Sequence, residues 1–238
     1  MNQLTQSARN WLGLEVRRGL GEFVLPQRCL ACGRFGAALH EECVADFARA
    51  EHPRCRVCWA PGRSPICERC ELDDIGDGFD ELRTPFRFTG EVRRALLEAK
   101  FRGVTALLGP LGRAAAASVE RSWHPTIVVP IPLAARRRRR RGFNQAELIA
   151  REVATVLDVP IEPAALVRTR ESEAQASLGA SERATNLLGA FRGTGVADRR
   201  VILVDDVTTT GSTLNEGARA LHAAGAAAVF ALAVARED

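Results

Sequence analysis

Residues 201–221 read VILVDDVTTTGSTLNEGARAL. Val201 to Val204 form a short apolar run with the β-branched composition of a buried strand. Two adjacent carboxylates, Asp205 and Asp206, close it, a Thr-, Gly- and Ser-rich loop follows, and a helix is expected from about Thr213 to Ala224. In an open α/β sheet, ligands bind beyond the carboxyl ends of the strands, and a loop entering a helix there offers unpaired backbone N–H groups to an anion. Thr208, Thr209, Thr210, Gly211, Ser212 and Thr213 supply such a loop, with Gly211 allowing close backbone approach and the hydroxyls adding donors. A phosphate monoester suits it. Two carboxylates beside a phosphate would repel it, so they must address another part of the same ligand, either hydroxyls or a Mg²⁺ ion. A sugar phosphate meets both demands.

Upstream, the pattern alternates between strands and helices. ELRTPFRF (81–88) reads as a strand, and GEVRRALLEAKF (90–101) as an amphipathic helix with Val92, Leu96, Leu97 and Lys100 on related turns. VTALLGPLGRAAAASVERS (104–122) continues as helix, with Pro110 expected to kink or break it. TIVVPIPL (126–133) is a buried-strand run ended by Pro130 and Pro132. NQAELIAREVATVL (144–157) is expected as a helix capped by Asn144, residues 168–190 as a long loop turning helical, and AAVFALAVA (227–235) as a last strand. This alternation implies an α/β fold, a mostly parallel sheet flanked by helices.

The 238 residues, 46% hydrophobic, can bury one core and carry a small second module. No apolar run approaches the ~20 residues of a membrane span, and Arg9, Glu15, Arg17 and Arg18 interrupt any signal-peptide core. The expectation is a cytoplasmic protein without membrane insertion. A net charge of +4 is too mild to name a partner.

All seven cysteines fall between residues 29 and 70, as Cys29-x2-Cys32, Cys55-x2-Cys58, Cys67-x2-Cys70 and Cys43, with His40 three residues before Cys43. Eight ligands in four x2-spaced pairs make two tetrahedral sites, and such a thiol-rich cytosolic segment points to zinc rather than disulfides. The cheapest pairing joins neighbours: Cys29, Cys32, His40 and Cys43 in one site, Cys55, Cys58, Cys67 and Cys70 in the other. Interleaved pairing satisfies the spacing too. With every position filled, the two zinc sites would be structural, and metal binding would supply the folding energy of a segment poor in apolar residues. Composition then divides the chain into an N-terminal helix (1–25), a double zinc ribbon (26–74) and the α/β domain (75–238).

Residues 201–213 resemble the signature of type I phosphoribosyltransferases, which bind phosphoribosyl diphosphate (PRPP). A wider resemblance, to the ComF-like (GntX-like) competence-associated family, runs in order through the cysteine pairs, KFRG (100–103), VVPIPL (128–133), RRRGFNQA (139–146), the segment from Arg168 through Gln175, Arg183 and Asn186 to GAF (189–191), and VDDVTTTG. Members join a double zinc ribbon to a phosphoribosyltransferase domain. His40 stands where the family usually has cysteine, and Thr208 where an apolar residue is commoner.

The resemblance implies roles. Asp205 and Asp206 would hold the ribose 2- and 3-hydroxyls, and Thr208 to Thr213 the 5-phosphate. Pro130, Ile131, Pro132 and Leu133 would form the diphosphate loop, with Lys100, Arg102, Arg139, Arg140 and Arg141 stabilising the leaving diphosphate beside Mg²⁺. Asp205, Asp206 and Arg141 are the catalytic candidates, and residues near 168–183 would be a flexible lid that excludes water. The implied activity is Mg²⁺-dependent phosphoribosyl transfer from PRPP to an unknown nitrogenous acceptor. The alternative is a non-catalytic PRPP sensor or single-stranded-DNA-handling zinc protein. The six-arginine run Arg136 to Arg141 and the family association with DNA uptake suit single-stranded DNA and competence-machinery proteins as partners, although stacking aromatics are scarce.

Overall fold

The computed structural model describes residues 27–72, 78–169 and 189–238. The expected N-terminal helix and nearly all of the expected lid lie outside the described residues. Two long strands organise the rest: β6 (Arg200–Thr208) and β7 (Ala228–Arg236). Each is an almost unbroken apolar run, as strands buried on both faces must be. Val201 to Val204 and Val229, Ala231, Leu232, Ala233, Val234 and Ala235 are fully buried.

β3 (Ile127–Pro130) pairs with β6 on one side, Val129 opposite Leu203 and Pro130 opposite Val204. On the far side of β7 run β1 (Leu82–Arg83) and β2 (Phe86–Arg87). All these pairings are parallel. The strand expected over 81–88 is therefore interrupted at Thr84 and Pro85, because proline has no N–H to give to a ladder. β4 (Leu166–Arg168) and β5 (Phe191–Gly193) form a separate antiparallel pair. At its end Thr169 donates its N–H to the Ala190 carbonyl and its hydroxyl to the Gly189 carbonyl.

Alternate side chains of the sheet face two cores. Val128, Ile202, Val204, Leu232 and Val234 pack against α3 (Gly90–Arg102), α4 (Leu108–Ala116) and α6 (Gln145–Leu157), which contribute Val92, Leu96, Leu108, Leu111, Ile149 and Val153. Ile127, Val129, Val201, Leu203 and Val229 pack against α7 (Ser212–Ala223) through Leu214, Ala218 and Leu221. Gly217 makes this approach possible: a Cβ there would sit 3.0 Å from Ile131 Cδ1 and Leu203 Cδ2.

Two expectations are corrected. Pro110 does not break its helix; a 3-10 turn (Thr105–Leu107) precedes α4, and Pro110 lies in the first turn of α4, where its missing N–H has no intrahelical acceptor to lose. Asn144 occupies the N-cap position of α6 but does not cap with its side chain, which is committed elsewhere.

The cysteine-rich segment, with short helices α1 (Glu41–Ala45) and α2 (Glu68–Leu72), straddles the β1/β2 edge. Ala50 donates to the Pro85 carbonyl, Arg87 to the Ala48 carbonyl and Leu82 to the Val57 carbonyl, so backbone groups of an otherwise bare edge are paired. Leu39, Val44 and Phe47 enter the first core, and Cys55 and Cys58 the second. Too poor in apolar residues to hold a core of its own, the segment shares the sheet's cores.

Candidate functional site

β6 does not stop at Val204. It continues as strand through Asp205 and Asp206 to Thr208, and only Thr209 to Gly211 turn before α7. The acids therefore stand on rigid backbone, with Asp205 opposite Ala233 of β7. Beside them, Ile131 donates its N–H to the Val204 carbonyl at 2.8 Å, which carries the 130–133 loop along the carboxyl end of β6. Asn144 supports this loop from behind. Its side chain is 6% exposed, and its Nδ2 donates to the Ile131 carbonyl at 2.9 Å. Gln145, 2% exposed, donates Nε2–H to the Leu96 carbonyl, tying the start of α6 to α3 one turn before Lys100.

Burial, reinforced by the neighbouring Asp206 charge, pushes the Asp205 carboxyl well above the usual carboxylate range, and the Lys100 charge pulls the other way. Burial lowers the Arg141 guanidinium below its ordinary value, and the Asp206 charge opposes that shift. Lys100 and Arg141 thus lie within electrostatic reach of the acid pair. A half-buried carboxyl held above its usual range wants a hydroxyl donor or a cation.

Of the arginine helix α5 (Ala135–Arg141), Arg136 to Arg140 are exposed and Arg141 alone is half-buried, donating Nη1–H to Gln145 Oε1 at 2.8 Å. Arg102 is exposed and pairs with Glu98 on its own helix at 3.3 Å. The six identical arginines were indistinguishable by spacing; the turn of the helix separates Arg141 from the rest.

In the loop, Gly211 adopts φ +83°, a left-handed conformation costly to any residue with a Cβ, and Phe79 lies beneath it, 3.5 Å from where that Cβ would be. Thr210 Oγ1 and Ser212 Oγ are 2.7 Å apart. Thr208 is buried on the strand rather than in the loop, and its carbonyl accepts the Glu237 N–H. Thr213 is half-exposed in the first turn of α7 and Thr209 is exposed.

The eight metal-ligand candidates gather as two groups, Cys29, Cys32, His40 and Cys43, and Cys55, Cys58, Cys67 and Cys70, with the ligand atoms of each within 4.8 Å of one another. Among the described residues the neighbour pairing holds, and every cysteine is a free thiol. In the second group Cys55 and Cys70 sulfurs are 3.7 Å apart, and Cys58 and Cys67 sulfurs 3.6 Å. Thiolates about 2.3 Å from one tetrahedral ion would stand about 3.8 Å apart, so the donors fit zinc. In the first group His40 Nδ1 lies 3.4 Å from Cys32 Sγ while Nε2 faces the Phe35 carbonyl at 3.3 Å. Occupying one ring nitrogen with a carbonyl leaves the other as ligand. The Arg34 guanidinium, donating to Cys32 Sγ, lowers that thiol to about 6.

A groove of about 810 Å³ between the first cysteine group and helices α4 and α6 is lined by Leu39, His40, Glu41, Leu108, Arg113 and Glu152, among others, and contains none of the acids, loop residues or arginines above. Asn144 and Gln145 were missed as residues that support the 130–133 loop and the start of α6. The signal was available: two amides opening an apolar helix face, just after the arginine run.

The phosphoribosyl transferase domain family matches residues 110–237, just over half the chain, and the chain belongs to it. Among curated proteins, competence protein F of Haemophilus influenzae is 38% identical over 116 residues, covering 47% of this chain and 51% of the relative. The DNA utilization protein YhgH of Escherichia coli K12 is 43% identical over 106 residues, covering 44% and 47%. These matches span about half the length of the relatives. Competence protein ComFC of Streptococcus pneumoniae is 28% identical over 205 residues, covering 84% of this chain and 88% of that one. The chain is thus ComF-like. Among solved structures, glutamine PRPP amidotransferase from B. subtilis is similar at a TM-score of 0.36 and 21% identity, over 52% of this chain and 25% of that one. Among the described residues no helix is long and apolar enough to cross a membrane.

Proposed function

We propose that this chain binds PRPP at the carboxyl ends of β3 and β6 and transfers its phosphoribosyl group to a nitrogen nucleophile, in the cytoplasm and in connection with competence or DNA use. The observation that carries the reading is the convergence of Asp205, Asp206, the Gly211 turn, the Ile131–Leu133 loop, Lys100 and Arg141 around one strand end. Asp205 and Asp206 would accept from the ribose hydroxyls, so that the raised Asp205 carboxyl is relieved by ligand. The Thr209–Thr213 loop would hold the 5-phosphate with N–H and hydroxyl donors.

Bound Mg²⁺, for which the carboxylates and the diphosphate are suitable hard oxygen donors, would neutralise charge on the leaving group. Lys100 and Arg141 would stabilise the diphosphate as the bond to ribose C1 lengthens, and the Ile131–Leu133 backbone would fix its position. Zinc at the two cysteine groups would be structural. The test is calorimetric titration of zinc-loaded protein with PRPP, with and without Mg²⁺, while diphosphate release is followed against a panel of nucleobases. Magnesium-dependent binding that is lost in Asp205→Asn/Asp206→Asn supports the pocket. Unchanged affinity in that variant removes the ribose assignment.

A second reading rests on the row Arg136 to Arg140, exposed on α5 directly beside the site. A dense cationic face of this kind contacts phosphates without reading sequence. In this reading the chain handles single-stranded DNA and PRPP acts as its ligand rather than its substrate. Binding of PRPP with no acceptor-stimulated diphosphate release, together with DNA affinity that falls on replacing Arg136, Arg137 and Arg138 by Gln, would favour it.

A further inference from the structure

Between two ligands of the second metal group, Cys67 and Cys70, stands Arg69 on α2. Its Nη2 donates to the Thr210 carbonyl at 2.6 Å, across 141 residues of sequence. A trans peptide is planar, with its C=O and N–H pointing in opposite directions. Holding the Thr210 carbonyl towards the cysteine knuckle therefore turns the Gly211 N–H away from it, to the opposite face of the turn. The positive φ of Gly211 makes this orientation accessible, and Phe79 packs beneath the same residue. A second tie runs parallel: Arg236, two positions before Asp238 and opposite Thr208 across the ladder, donates Nη1–H to the Cys58 carbonyl at 2.9 Å.

We infer that Arg69 is a positioning residue for the phosphate loop, setting the Thr210–Gly211 peptide so that its N–H serves the bound phosphate, and that metal at Cys55, Cys58, Cys67 and Cys70 holds Arg69 in place to do so. The second knuckle is then part of the pocket's architecture and not a detached appendage. This inference rests on the sugar-phosphate reading of the loop, which fails separately if unmodified protein shows no affinity for PRPP.

The test compares zinc-loaded wild type, Arg69→Ala and Arg69→Lys in the full chain. Zinc content is measured first, and amide hydrogen exchange without ligand and calorimetric PRPP affinity follow. Arg69→Ala is expected to keep its zinc, to exchange faster at residues 209–213 while β6 is unchanged, and to bind PRPP about tenfold more weakly, the scale of one hydrogen bond from a charged donor. Arg69→Lys, which keeps a charged donor, should recover part of both losses. Chelating zinc from wild type should reproduce the faster loop exchange. Wild-type loop exchange in a zinc-replete Arg69→Ala protein overturns the inference even if PRPP does not bind. Equal PRPP affinity in a wild type that does bind overturns it as well.

Discussion

Asn144 offers a sharp test of how the 130–133 loop is held. Its Nδ2 donates to the Ile131 carbonyl at 2.9 Å from a side chain only 6% exposed. Asn144→Ala leaves that carbonyl without its amide, a desolvation cost of about 1–3 kcal/mol. For a domain of this size about 2 kcal/mol corresponds to a melting-point drop of about 4–8 °C. Asn144→Asp keeps the shape but presents an acceptor to an acceptor, and buries a carboxylate without a partner, so at pH 7 it should be worse than Asn144→Ala. The introduced carboxyl would have a folded-state pKa above its unfolded value of about 3.9. Its ionised form is then disfavoured in the fold, so the deficit is absent below the unfolded pKa, grows as pH rises through the folded one, and is complete above it. Urea denaturation of the three zinc-saturated proteins between pH 4.5 and 8, each compared by midpoint with wild type at the same pH, reads this directly. If Asn144→Asp is as stable as Asn144→Ala at pH 8, or its deficit is flat with pH, the Asn144–Ile131 bond does not support the loop.

Three further outcomes are expected. Asp205→Asn should raise the stability of the ligand-free protein at pH 7, since it removes a half-buried carboxyl that desolvation and Asp206 hold above its usual range, while weakening PRPP binding at least tenfold; a destabilised variant on thermal denaturation would contradict the electrostatic account. Arg54 is 4% exposed and donates to both Asp238 oxygens, at 3.0 and 2.6 Å, and these bonds lower the Asp238 carboxyl. That stability is present above the unfolded carboxyl pKa and lost as pH falls through the folded one, so Arg54→Met should cost about 3 kcal/mol at pH 7 and flatten the acid limb of the stability curve. Elemental analysis should find two zinc ions per chain, one for each ligand group; fewer than one removes the metal reading.

The parts of this fold legible in sequence are those where local chemistry decides the backbone. Val201 to Val204 could only be a buried strand, Gly211 could take the left-handed turn that α7 needs, and the x2 spacing brought thiols together in neighbour pairs. Where two local rules competed, the reading slipped. The pattern of ELRTPFRF was that of a strand while its Pro85 was that of a break, and the chain keeps both as β1 and β2. Pro110 carries the signal of a helix breaker, yet in the first turn of α4 the same residue is harmless. What sequence could not show is the set of long-range arginine ties. Arg54 to Asp238, Arg69 to Thr210 and Arg236 to Cys58 join residues 141 to 184 positions apart, and no periodicity marks one arginine among 32 as the one that reaches.

These ties share a direction, and this bears on why a thiol-rich segment accompanies this sheet. The strand beyond β7 is only two short pieces, with Thr84 and Pro85 between them, and so presents an edge that cannot complete its own ladder. The cysteine-rich segment supplies what is missing: backbone partners at Ala48, Ala50 and Val57, apolar side chains to both cores, and the Trp59 ring, over which Arg83 of β1 lies at 4.5 Å. A segment with these duties needs a fixed shape but has too little apolar surface to hold one alone, and metal bound at the two four-ligand groups would provide it. Composition changes near residue 75 because thiol ligands stop there, while packing runs straight across. Loss of metal should therefore be felt first at the sheet edge and the Thr209–Gly211 turn, and only later in β6 and β7, whose side chains are buried from both faces.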